Sequence, residues 1–103
     1  MAKYIGTKIA FLLTVKDGDG AVFDITNYDI LFNSTGANSI EKTSATATEI
    51  NKTDPTNGVA YIYTLPEDNV NEGTQKYYVK ITNKSDSTEV YIVARSTYKL
   101  ETP

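Results

Sequence analysis

The chain has 103 residues, a formal net charge of −3, and no cysteine, histidine or tryptophan. That length supports one hydrophobic core and not two, and without cysteine there is neither a disulfide framework nor a thiolate metal site. A mildly acidic chain with no block of Lys/Arg lacks the footprint of a phosphate-backbone partner, so nucleic acid is excluded as the expected ligand.

The segment 1–7 carries one lysine, Lys3, and no apolar run behind it long enough for the core of a secretory leader. No stretch approaches the ~20 apolar residues that span a bilayer, so no membrane partner is expected. Strict alternation begins at Ile9: Ile9, Phe11, Leu13 and Val15 point one way, and Ala10, Leu12, Thr14 and Lys16 the other. This predicts a first strand. Lys16-Asp17-Gly18-Asp19-Gly20 follows as a turn. It fails as a calcium loop because Ala21 stands at the third ligand position and no Glu closes it. Val22 and Phe23 are expected back in the core, and Asp24–Asn27 drops Ile25 inward.

A second strand, Tyr28–Asn33, places Ile30 and Phe32 on one face, and the polar Ser34–Ser39 reads as a loop. Ile40–Lys52 has large apolar anchors only at Ile40 and Ile50, which predicts two short edge strands. The turn Thr53–Gly58 leads into Val59–Leu65, in which Val59, Tyr61, Tyr63 and Leu65 share the expected core face. Glu67–Glu72 is expected to form one helical turn packing Val70. In Gln75–Thr82 the residues Tyr77, Val79 and Ile81 point inward, and a polar hairpin loop covers Asn83–Thr88. The last strand, Glu89–Leu100, has Val90, Ile92, Ala94, Tyr98 and Leu100 in phase, with a bulge or bend at Ser96.

About seven closely spaced strands with turns between them give the expected fold class: all-β, an immunoglobulin-like two-sheet antiparallel sandwich forming a single domain over residues 1–103, with a small barrel as the competing arrangement. The chain also resembles a known family. The residues that carry this are Phe11–Gly20, then Phe23-Asp24-Ile25-Thr26, then Asp54-Pro55-Thr56-Asn57-Gly58-Val59-Ala60-Tyr61, Leu65-Pro66, and Gly73-Thr74-Gln75-Lys76-Tyr77-Tyr78. Their order is similar to the immunoglobulin-like N-terminal domain of phage baseplate upper proteins and related tail or fibre modules. The resemblance spans roughly residues 9–100 and rests on turn and core motifs that contain no chemistry. It implies a phage origin, residence in the virion, and partners among other virion proteins or further copies of the chain.

Catalysis has little to build on. The commonest general base and the best nucleophile are missing with His and Cys, and the carboxylates fall mostly in turns or at strand ends. No catalytic residue, cofactor or metal ligand is assigned, and the expectation is a protein that is not an enzyme. Tyr78 and Tyr91 fall out of phase with their apolar neighbours and are expected to face outward, where tyrosine suits interfaces. With Tyr4 and Ile5 of the N-terminal arm, a segment suited to adding onto a neighbour's sheet, they form the candidate interface. The expected function is a non-catalytic virion assembly module of baseplate, tail, fibre or head decoration, acting through protein–protein contacts. The alternative is a carbohydrate- or receptor-binding module for attachment to a host cell-wall glycan.

Overall fold

The computed structural model describes residues 2–103, so Met1 of the predicted arm lies outside the described residues. Eight strands form in chain order: β1 (Lys3–Tyr4), β2 (Ile9–Thr14), β3 (Tyr28–Gly36), β4 (Ile40–Thr43), β5 (Ile50–Asp54), β6 (Val59–Thr64), β7 (Gly73–Asn83) and β8 (Asp86–Glu101). They make a five-stranded sheet, β1-β8-β7-β3-β4, facing a three-stranded sheet, β2-β6-β5. The expected two-sheet sandwich is present, with one departure from a purely antiparallel arrangement: β1 runs parallel to β8, so the larger sheet is mixed.

The inward faces follow the period of two. The larger sheet contributes Tyr28, Ile30 and Phe32 from β3 and Val79 and Ile81 from β7, and the smaller contributes Leu13 from β2, Ile50 from β5, and Ala60 and Ile62 from β6. Ile25, wholly buried, plugs the core from the β2–β3 connection. Phe11 reaches across from the small sheet, its ring centroid 5.6 Å from Phe32, 5.6 Å from Tyr77 and 5.3 Å from Tyr98. Offset and tilted aromatic contacts at these distances add to the area that they bury.

The Asn-Gly turn behaves as its residues require. Pro55–Asn57 form one 3-10 turn, and Gly58 leaves it at φ 74°. A Cβ on Gly58 would stand 2.5 Å from the Val15 carbonyl oxygen and 2.7 Å from that of Phe23, so glycine is needed for space as well as for conformation. The Asp17 carboxylate accepts hydrogen bonds from the N–H groups of Asp19 and Ala21, which closes the first turn around its own side chain.

Several expectations are corrected. In β6 the phase is the opposite of that predicted: Ala60, Ile62 and Thr64 are buried, and Tyr61 and Tyr63 face out. Pairing with β2 explains this, because Ile62 lies opposite Phe11 and Ala60 opposite Leu13, and residues opposite each other share a face. β3 continues through the expected loop as far as Gly36, burying Ser34. No helical turn packs Val70, which is 58% exposed; the wholly buried residue of that turn is Asn69. Its amide donates to Thr7 O, Leu65 O and Thr64 Oγ1 and so ties the β1–β2 connection to the end of β6. Val22 stays outside the core, held in an isolated bridge to Lys16, and only Phe23 packs inward. In β8 register shifts fall at Val93, between Ile92 and Ala94, and again between Asp86 and Val90, and not at Ser96. Val90 and Ile92 are therefore turned outward.

These phases predict that Ile62→Ala destabilises the fold by about 2–5 kcal/mol, whereas Tyr61→Ala changes it by less than about 1 kcal/mol. Urea unfolding of the two variants beside the parent chain measures both, and equal losses would contradict the register of β6 on β2.

Candidate functional site

Two outward surfaces group five of the exposed large apolar side chains, Val90, Tyr91 and Ile92 on one and Leu12 and Tyr61 on the other. The first is built by β8. On one side its backbone pairs with β7 along almost its whole length, and on the other it meets only β1, at Leu100 and Glu101. Among the described residues, the edge from Val90 to Lys99 therefore carries no second strand. Along it Val90, Tyr91 and Ile92 are 41%, 45% and 54% exposed. A groove on the outer side of this edge is lined by Tyr78, Ile92, Val93, Ala94 and Arg95.

The bulge at Val93 separates the two predicted tyrosines. Tyr78 lies opposite Arg95 on β8 and Asn33 on β3, on the outer face of the sheet. Tyr91 lies opposite the buried Ile81, on the face that looks toward the smaller sheet, with its ring 6.2 Å from Phe23. Exposure of Tyr91 comes from its place at the open side of the sandwich. The two do not share one patch, and the structure instead groups Tyr78 with Ile92 and Arg95.

Tyr4 and Ile5 are elsewhere again. Tyr4 sits opposite Glu101, and the Ile5 N–H donates to the Glu101 carbonyl at 3.0 Å. The arm that was expected to dock on a neighbour is folded onto the edge of its own sheet.

At the start of β8 the Glu89 carboxylate accepts hydrogen bonds from the Tyr28 hydroxyl, the Asn83 amide and the Tyr91 hydroxyl. These bonds hold the Glu89 carboxyl below its ordinary value, with the Tyr28 hydroxyl as the largest cause. In return, the bond to Glu89 pushes the Tyr28 hydroxyl up to about 12, and it also raises Tyr91. This cluster ties the start of β8 to Tyr28 of β3 and Asn83 of β7.

The second surface is the outer face of the small sheet. Leu12, 61% exposed, lies opposite Tyr61, and Ala10 opposite Tyr63. The rings of Tyr61 and Tyr63 are stacked at 6.2 Å with 12° between their planes, and the Lys8 ammonium lies 4.7 Å from the centroid of Tyr63. Reading Tyr61 and Tyr63 as core residues hid this outward pair. Its signal lay in β2, whose inward Phe11 and Leu13 oblige the paired strand to turn Ile62 and Ala60 inward with them.

The Glu89 cluster gives a pH prediction. A lowered carboxyl contributes stability that is present above its unfolded value and lost as pH falls through its folded one, and a raised phenol contributes stability that is present below its usual value near 10 and lost as pH rises toward about 12. In Glu89→Gln the Tyr28 hydroxyl is expected to ionise nearer 10, seen by phenolate absorbance, and the acid limb of the stability profile to flatten; an unchanged titration would remove the coupling. Comparison of the chain with known protein families, with curated proteins and with solved structures finds no match in any of the three.

Proposed function

We propose that this chain is a non-catalytic assembly module with an immunoglobulin-like fold, working in a phage virion by contacts with other virion proteins. The observation that carries the assembly reading is the pair of exposed apolar surfaces on different sides of one small sandwich, the β8 edge and the Leu12–Tyr61–Tyr63 face. A module that must touch more than one neighbour needs more than one such surface. The strand order supports the immunoglobulin-like reading. β8-β7-β3-β4 follows the order G-F-C-C′ of a variable-type sheet, and β2-β6-β5 follows B-E-D of its partner. Where antibody domains join strands B and F through a disulfide, this chain sets Phe11 against Tyr77. The phage attribution rests on the turn and core motifs that resemble baseplate domains.

Quantitative mass spectrometry of purified particles tests this proposal. The chain is expected in fixed stoichiometry to the major capsid protein, in hundreds of copies for a head or tail-tube position and in a small multiple of three or six for a baseplate, neck or fibre. Absence from particles would overturn it.

One observation favours attachment to a host glycan as a second reading: the near-parallel rings of Tyr61 and Tyr63 on an outer face, with Lys8 over Tyr63, supply aromatic surface and a polar donor of the kind that sugars use. On this reading, purified cell-wall polysaccharide binds the chain saturably and Tyr61→Ala with Tyr63→Ala abolishes the binding. Titration calorimetry distinguishes this from an inert face.

A further inference from the structure

The unpaired edge of β8 has three properties that belong together. Its limits are set by the fold itself: regular pairing of β8 with β7 begins at Val90, after a register shift that leaves residues 87–89 without partners on β7, and β1 occupies the edge from Leu100 onward, so the free edge runs from Val90 to Lys99. Among the described residues, no backbone hydrogen bond outside the strand ladders involves this stretch. Unpaired N–H and C=O groups in such a row form a template for another strand.

The side chains along the edge are sorted by charge. The N-terminal end is flanked by Asp86 and Glu89, the C-terminal half carries Arg95 and Lys99, and Val90–Ala94 between them has no charge at all. A parallel mate of the same sequence would set like charges side by side. In an antiparallel mate the acidic half of one copy lies along the basic half of the other, on both sides of an apolar centre.

The bulge fixes the register. Val90 and Ile92 lie on the outer face before Val93, and Ala94 returns to the inner face after it. The alternation is thus reversed across Val93, and an antiparallel mate keeps like faces together only if the two-fold axis passes between two residues. An axis between Ile92 and Val93 satisfies this condition and sets the pairs on either side of the bulge. In that register Tyr91 lies opposite Ala94 on the inner face and Val90 opposite Arg95 on the outer face. The inner-face side chains of the mate then border the groove formed by Phe23, Tyr91 and Val93.

We propose that the β8 edge takes a second copy of this chain, antiparallel about a two-fold axis between Ile92 and Val93, joining the larger sheets of both copies into one. This rests on the assembly reading and names its first partner. A two-fold interface is self-complementary by construction, which is the property that the charge sorting and the centred bulge share.

The native chain has no cysteine, which makes the test direct. Sedimentation equilibrium of the full chain is expected to give a dimer, twice the 11.3 kDa monomer. Arg95→Glu, a change of an exposed side chain, is expected to raise the dimer dissociation constant by about tenfold or more. Ile92→Cys should form an intermolecular disulfide on mild oxidation, since the two copies of residue 92 fall diagonally across the axis at a spacing that a disulfide spans. Leu12→Cys, on the opposite face, should not. A monomer at all concentrations with no cross-link from Ile92→Cys would overturn the proposal, as would a dimer that cross-links through Leu12→Cys or is indifferent to Arg95→Glu. A chain that is monomeric by these measures yet present in particles would sink the self-pairing alone and leave the assembly reading in place.

Discussion

Phe11 is the side chain on which the sandwich closes. It is the one aromatic residue that the small sheet sends inward, and it enters a cluster formed by Phe32, Tyr77 and Tyr98 of the large sheet. Without cysteine there is no covalent tie between the sheets, so their separation is fixed by how these rings pack. The register of β6 on β2 follows from the same contact. Once Phe11 points inward, Ile62 opposite it must do so too, and Tyr61 and Tyr63 are sent to the surface.

A polar counterpart governs one end of the molecule. The side-chain amide of Gln75, wholly buried, donates to Ser34 Oγ and to the Asn38 carbonyl, each at 2.8 Å, and its oxygen accepts from the Asn38 N–H. Asn38 in turn exchanges hydrogen bonds with the backbone of Asn71. Lys42 and Asp68 form an ion pair at 2.7 Å close by. Buried polar groups that find partners specify one arrangement of the loops they join, and this network fixes the β3–β4 and β6–β7 connections against each other.

Much of the fold was legible in the sequence where large apolar residues alternate without interruption, as in Ile9–Val15 and Tyr77–Ile81. The turns at Asp17–Gly20 and Asp54–Gly58 announced themselves through residues that favour tight backbone conformations. Legibility ended where tyrosine was the only guide, because its ring suits a core and its hydroxyl suits water, and periodicity alone does not choose between them. For Tyr61 and Tyr63 the choice is made by a strand distant in sequence. It ended again at Val93, since a bulge is a property of two strands and leaves no mark in one. The candidate surface at β8 was seen in part, through Tyr78 and Tyr91, but that bulge places them on opposite faces. Ser34, Asn69 and Gln75 look like loop or surface residues in the sequence and are buried because each finds hydrogen-bond partners supplied by remote segments.

The short parallel contact of Lys3–Tyr4 with Leu100–Glu101 brings the two ends of the described chain to one corner. Because these two strands run in the same direction, no tight turn can join them, and the contact forms only between segments far apart in the sequence. It closes the longest loop among the strand pairs of the described residues, and its backbone contacts offset that entropy without help from a local turn.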